Sequence, residues 1–174
     1  AFAPRAGITT VVDAGTSGWR TFPDFKTKII DNSMTRVLAF LSIASGGYSV
    51  DKAQEDINEM DAQMTAETVK KYPDILVGVR IGRYETDDNW TPFDRAVEAA
   101  KLSNTPLFVE CHLPKYSLED QLRHMRPGDI MTHAFENVAE RMTVVDENGK
   151  VRPFVLAAQK RGILFDIGHG GGGF

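Results

Sequence analysis

Residues 106–114, Pro-Leu-Phe-Val-Glu-Cys-His-Leu-Pro, form a short apolar run that ends in side chains able to bind a metal ion. Successive residues of a β-strand point to opposite faces. One face of this predicted strand is apolar and suits packing against helices: Leu107, Val109 and Cys111. The other face ends in a carboxylate and an imidazole: Phe108, Glu110 and His112. The stretch therefore predicts a buried strand with a polar site at its C-terminal end.

Apolar, β-rich runs recur along the whole chain, and helix-like segments lie between them. These runs span residues 8–14, 36–43, 75–81, 107–112, 130–134 and 163–167. Near-continuous apolar strands that alternate with helices indicate a parallel sheet covered on both sides. We therefore predict a single α/β domain over residues 1–174, with about six parallel strands and flanking helices. The strands build either an open sheet or part of a barrel.

Several helix boundaries carry their own signals. Thr91 is predicted as an N-cap with Pro92 as the first helical residue, and Ser117 is predicted as a second N-cap. A helix over 153–161 should end at Gly162. Two further segments are predicted to be helical: residues 23–31, with Thr21 near the start, and residues 51–72, with two short helices of which Asp61 caps the second.

Composition and charge restrict the class of protein. The chain has 174 residues, 42% of them hydrophobic and 25% charged, which is ordinary for a globular domain. A net charge of -4 argues against nucleic acid and anionic membranes as partners, because both favour a basic surface. A single cysteine allows no internal disulfide and fits a reducing compartment, so we expect a cytoplasmic protein without a membrane span.

Two neighbouring predicted strands end in residues that can bind metal. Glu110 and His112 lie on one strand face, and His133 lies near the end of the next predicted strand. Adjacent strands lie ~5 Å apart, so the three side chains can converge on one ion. Carboxylate and neutral imidazole are good ligands for zinc and similar divalent ions. The other interpretation is a hydrogen-bonded polar cluster inside a barrel, since buried polar groups need partners in any case.

Arginine and histidine residues near the same strand ends are candidates for substrate binding. Arg80 can clamp a substrate carboxylate or, as the residues alone favour, neutralise Glu110 or Asp13. Arg83 and Tyr84 follow in the next loop.

A glycine-rich segment follows the last predicted strand. His169 lies in it and can ligate metal, donate a proton, bind substrate, or play no part. Three further residues are expected to be structural: Asp13 in a turn, Cys111 in the core and His124 on a solvent-facing helix.

Four segments resemble the amidohydrolase superfamily, and in particular its dihydroorotase-like amidohydrolase and deacetylase group. They are residues 7–15, 35–41, 126–133 and 162–170, in the same order along the chain. The resemblance implies a distorted (β/α)8 barrel of the TIM type. It also implies hydrolysis of amide or ester bonds in small molecules by water that one or two zinc-type ions activate.

The chain departs from the pattern of that superfamily in two respects. The His-x-His motif of the first barrel strand and the aspartate of the eighth are absent, so the resemblance implies strands two to seven of a partial barrel, weakly active or inactive alone. The lysine that many relatives carry on strand four, where it becomes a carboxylated metal bridge, corresponds to Arg80. Arginine does not readily take that role, and Glu110 is the candidate to supply the carboxylate instead.

Three functional hypotheses follow. In the leading one, Glu110, His112 and His133 hold a divalent metal, zinc first among them, while Arg80, Arg83 and His169 bind a small-molecule substrate or stabilise charge. The second is a non-catalytic scaffold that pairs its open sheet edges with another copy of itself. The third is a phosphate-binding barrel enzyme that uses the glycine-rich segment.

Overall fold

The computed structural model describes residues 4–48, 56–82, 90–110, 116–135 and 142–168. Within these ranges, six parallel strands form one sheet in the order of the sequence. They are β1 (Thr10–Gly18), β2 (Arg36–Ser42), β3 (Leu76–Ile81), β4 (Leu107–Glu110), β5 (Ile130–Thr132) and β6 (Leu164–Phe165). The six predicted strands are confirmed. In the described part of the chain β1 and β6 are the sheet edges, so these strands do not close a barrel among themselves.

Helices connect the strands in the predicted alternating pattern. They are α1 (Phe22–Phe25), which continues as a π-helical turn (Lys26–Ile30), α2 (Ala62–Lys71), α3 (Thr91–Ser103), α4 (Leu118–His124) and α5 (Pro153–Lys160). Short 3-10 turns span Pro4–Ala6 and Ile57–Glu59. No helix in the described ranges is long and apolar enough to cross a lipid bilayer.

Two of the predicted helix caps are present. The Asp61 side chain accepts a hydrogen bond from the Met64 backbone at 2.9 Å, and Ser117 accepts one from the Asp120 backbone at 3.1 Å. These bonds satisfy backbone donors that a first helical turn leaves unpaired.

One prediction about a helix end is wrong. The N-cap of α3 is Trp90, and Thr91 is already helical. A proline indicates the first turn of a helix but does not fix its position within that turn. The reason is that none of the backbone donors of the first turn has a helical partner. The helix predicted over residues 23–31 is present as α1 and the π-helical turn that follows it, and Thr21 is its N-cap residue. The Thr21 side chain makes no hydrogen bond to the first helical turn and instead donates its hydroxyl to Gly46 O at 3.1 Å.

The apolar face of the sheet is buried and forms one core with the helices. Its most deeply buried strand residues are Ala39, Leu41, Val79, Ile81, Leu107, Val109 and Met131, each at most 1% exposed. On β4, Leu107 and Val109 are buried whereas Phe108 and Glu110 are half-buried, as the alternation predicted. The sheet therefore directs Glu110 away from the helices. Cys111 and its predicted core position lie outside the described residues.

Candidate functional site

Arg80 and Glu110 form a buried ion pair between neighbouring strands. Arg80 lies near the end of β3, in register with Phe108, and Glu110 is the last residue of β4. Arg80 Nη2 donates a hydrogen bond to Glu110 Oε2. The two side chains are only 5% and 13% exposed. Of the alternatives that the sequence left open for Arg80, the structure contains the pairing with Glu110.

Two glycines make room for the Arg80 side chain. A Cβ atom at Gly15 would lie 2.4 Å from Arg80 Cδ, and one at Gly82 would lie 2.6 Å from Arg80 Nη1. The Tyr48 ring covers the guanidinium, with its centroid 5.1 Å from Cζ. Glycine at positions 15 and 82 thus leaves the space that Arg80 occupies, because any side chain at either position would displace the arginine.

Part of the Arg80 guanidinium has unused hydrogen-bonding capacity. Among the described residues, neither Nε nor Nη1 has a hydrogen-bond partner, although both atoms are buried. Buried donors are almost always paired in native proteins, with protein groups, water or a ligand. Arg80 can therefore hold Glu110 and still donate to another oxygen atom.

His133 lies beside the same carboxylate. Glu110 is in register with Thr132 of β5, so His133 follows directly after the end of that strand. His133 Nε2 is 3.7 Å from Glu110 Oε1, whereas the Arg80 hydrogen bond is to Oε2. Two zinc ligands at bond lengths of ~2.0–2.2 Å lie roughly 3.3–3.7 Å apart at the usual angles. The spacing and the donor chemistry of this pair fit two ligands of one divalent ion.

The described residues supply only part of a metal-ligand set. No group of three histidine, cysteine, aspartate or glutamate residues suited to a metal ion occurs within the described ranges. His112, predicted as the third ligand, lies outside them, and so do Arg83, Tyr84 and His169. Of the predicted site residues, those that the structure describes are Arg80, Glu110 and His133, and these three lie close together.

Two residues that the sequence assigned to structural roles are described. Asp13 accepts hydrogen bonds from the backbone of Gly15 at 3.1 Å and of Thr16 at 2.9 Å, so it is a turn aspartate, as predicted. His124 is exposed on α4, also as predicted. Its ring stacks on Trp90 with centroids 4.0 Å apart, a contact that the sequence did not reveal.

Three residues that contact the His133 region were not connected with it by any signal in the sequence: Thr132, Asp166 and Gly168. Thr132 donates its hydroxyl to Asp166 Oδ2 at 2.6 Å, and Gly168 packs against the His133 backbone. His133 itself has a positive φ of 53°. A glycine in the segment after β6 was visible in the sequence, but nothing local linked it to a histidine thirty-five residues earlier.

Comparisons with known sequences match the chain to proteins named deacetylase. No family model matches the chain. It is 28% identical over 170 residues to a deacetylase of Enterococcus faecalis, with 95% of this chain and 46% of that protein covered. A deacetylase of Brucella anthropi is 31% identical over 176 residues, with 97% and 43% covered.

Two solved enzyme structures also match nearly the whole chain. A dihydroorotase crystal structure matches with a TM-score of 0.82 and 31% identity, covering 97% of this chain and 54% of that one. An adenine deaminase crystal structure matches with a TM-score of 0.83 and 28% identity, covering 97% and 46%. The chain thus spans about half the length of the relatives that it matches.

The six parallel strands and their flanking helices are part of a (β/α)8 barrel, with Arg80, Glu110 and His133 at the C-terminal ends of its strands. The matched proteins and structures indicate the amidohydrolase superfamily. The fold and the family that the sequence motifs implied are both confirmed.

Proposed function

We propose that the protein is a metal-dependent hydrolase that cleaves an amide or ester bond in a small molecule, such as an N-acyl or cyclic amide compound. The similarity to proteins named deacetylase, dihydroorotase and adenine deaminase supports a hydrolytic reaction. The position of the polar cluster supports the site, because barrel enzymes carry their catalytic groups at the C-terminal ends of the strands. We expect weak or no hydrolysis from these 174 residues alone, since the relatives are about twice as long.

One observation carries the proposal: the 3.7 Å separation between Glu110 Oε1 and His133 Nε2. These two atoms would hold the ion, and His112 is the predicted third ligand. Zinc is the first candidate because the donors are carboxylate and imidazole, and one or two ions are possible for this family. When bound, such an ion supplies a nucleophile from water at neutral pH and polarises the substrate carbonyl.

The residues of the chain have distinct tasks in this proposal. Arg80 donates a hydrogen bond to Glu110 Oε2, and Oε1 of the same carboxylate lies 3.7 Å from His133 Nε2. Its buried Nε and Nη1 donors, which have no hydrogen-bond partner among the described residues, are proposed to hold an oxygen atom of the substrate. Arg83 as a substrate-binding residue and His169 as a catalytic residue remain predictions from the sequence, as does the cytoplasmic location.

Zinc binding to the purified 174-residue chain tests the assignment. Equilibrium dialysis would compare the wild type with Glu110→Ala and His133→Ala, whose zinc affinity should fall at least about 10-fold. Two matched controls remove the same residue types on α4, where both side chains are exposed: Glu119→Ala and His124→Ala. Equal zinc content in all five proteins would contradict the proposed site.

A second candidate function, a self-associating scaffold, has one observation in its favour. Both edge strands expose apolar side chains, with Val12 on β1 51% exposed and Leu164 on β6 56% exposed. Unpaired edges and exposed apolar side chains favour association. Light scattering that shows a defined oligomer, together with no zinc binding and no hydrolysis of N-acyl compounds, would favour the scaffold over the hydrolase.

A further inference from the structure

We propose that Asp166 and Gly168, in the segment after β6, are positioning residues that set the backbone conformation of His133. The functional meaning of this inference rests on the proposed role of His133 as a metal ligand. The conformational part of it stands on the contacts between the two segments, which do not depend on a metal.

The first contact is an irregular pairing between Asp166 and the end of β5. Asp166 N donates to Met131 O at 2.8 Å, and Ala134 N donates to Asp166 O at 3.2 Å. In a regular parallel ladder, the second bond would come from His133 and not from Ala134. One extra residue is therefore inserted, which makes this a β-bulge at His133. Bulges are common at barrel rims and beside active sites, where they redirect a side chain.

The second contact connects side chains across the bulge. The buried Thr132 hydroxyl donates to Asp166 Oδ2 at 2.6 Å, so the residue before His133 is fixed to the same aspartate. Asp166 thus binds two residues before His133, Met131 and Thr132, and one residue after it, Ala134. A bulge held at three points has little freedom to return to a regular strand.

The third contact explains why residue 168 is glycine. A Cβ atom there would lie 2.5 Å from Thr132 Oγ1 and 2.6 Å from His133 N. Gly168 also has a positive φ of 60°, which favours glycine. The absence of a side chain lets the segment after β6 pack directly on the bulge.

The result of these contacts is a left-handed histidine. His133 has a φ of 53°, a conformation that most residues with a Cβ avoid. Among the described residues, the other example is Asn104, which ends α3 in the ordinary left-handed C-cap conformation. Strained backbone that the surroundings enforce is concentrated at functional sites. We infer that it serves here to direct Nε2 of His133 at Glu110.

NMR of the full 174-residue chain tests the conformational part. The 13Cα and 13Cβ shifts of His133 distinguish left-handed from extended backbone, and they would be compared in five proteins. Thr132→Val and Gly168→Ala should move these shifts away from the wild-type values. Thr132→Ser keeps the hydroxyl and should preserve them. Gly149→Ala should preserve them too, because Gly149 has a similar φ of 73° but nothing within 4 Å of its missing Cβ.

Zinc affinity, measured on the same proteins, tests the functional part. Thr132→Val and Gly168→Ala should bind zinc roughly 10- to 100-fold more weakly than the wild type, whereas Thr132→Ser and Gly149→Ala should not differ from it. Unchanged His133 shifts in Thr132→Val and Gly168→Ala would overturn the inference. If Gly168→Ala does not fold, Thr132→Val alone decides. A wild type that binds no zinc but shows the predicted shifts would overturn the proposed metal site and leave the positioning role supported.

Discussion

Arg80 on β3 and Glu110 on β4 form an ion pair that joins the ends of two neighbouring strands inside the partial barrel. Both charged side chains are almost completely buried, and they are paired with each other. A buried pair adds little net stability compared with apolar residues, but removal of one partner leaves an uncompensated charge. The pair can therefore be tested by comparing the loss of one charged partner with the loss of both charges.

Arg80→Met should lower the free energy of unfolding by about 3–5 kcal/mol, because the buried Glu110 carboxylate would lose its ion pair with Arg80. The double variant with Glu110→Gln should recover a substantial part of this loss. Urea unfolding of the single and double variants measures both effects. Arg123→Met is the control, since Arg123 pairs with Glu119 on the surface and should matter by less than about 1 kcal/mol. Additive effects of the two buried substitutions would contradict the coupling.

A second buried charge lies at the N-terminal ends of the strands. Its removal should lower the free energy of unfolding by a similar amount. Asp129, which is fully buried just before β5, accepts hydrogen bonds from Leu107 N at 2.9 Å, Arg126 N at 2.7 Å and Arg126 Nη2 at 2.7 Å. Asp129→Ala should therefore cost about 3–5 kcal/mol in unfolding free energy, because several donors and a cation lose their acceptor.

The matched control for this substitution is Asp24→Ala. Asp24 pairs with Lys28 on the surface at 2.7 Å, and its side chain is 73% exposed. Thermal or urea unfolding should show a change of less than about 1 kcal/mol there. A loss at Asp129 no larger than at Asp24 would show that the network does not fix the starts of β4 and β5.

The strands and the family were predictable because their signals are local. Apolar runs bounded by turn residues correctly predicted all six strands. The alternation of residues along β4 correctly predicted that Glu110 points away from the helices. The ion pair between Arg80 and Glu110 was among the predicted alternatives, since both residues lie on the same type of strand face.

The conformation of His133 was not predictable, because it arises from contacts that are distant in the sequence. The bulge depends on Asp166 and Gly168, and no residue type near position 133 signals an inserted residue. The first residue of α3 was misassigned for a different reason, since a proline is compatible with several positions of a first turn.

Strain at His133 should appear as a difference between two substitutions. At a φ of 53°, His133→Gly should be more stable than His133→Ala by about 1–2 kcal/mol, because only glycine adopts this conformation without a Cβ clash. The same pair of substitutions at Asn104, with a φ of 54°, is the control and should show a similar difference. Urea unfolding measures all four variants. Equal stabilities of the glycine and alanine variants at position 133 would mean that the backbone relaxes and is not held left-handed.

Acid should weaken the contact between the loop after β2 and the 3-10 turn before α2. The buried Ser45 hydroxyl donates a hydrogen bond to the Glu59 carboxylate, and Arg20 Nη2 lies 2.8 Å from the same oxygen. The Ser45 hydrogen bond, followed by the Arg20 interactions, lowers the pKa of Glu59 below its ordinary value of 4.5, against the opposing effect of burial. A carboxyl group with a lowered pKa stabilises the fold above its unfolded-state pKa, and this stabilisation is lost as the pH falls through the folded-state pKa.

Ser45→Ala removes the larger cause of that shift, so its stability should depend less steeply on pH than that of the wild type. The stability difference between the two proteins should be present at pH values well above 4.5 and shrink below that value. Urea unfolding midpoints measured across this range give the result. Glu98→Gln, an exposed carboxylate on α3, is the control and should keep the wild-type pH dependence. A stability difference that stays constant over the whole range would mean that the Ser45 hydrogen bond does not favour the ionised form of Glu59.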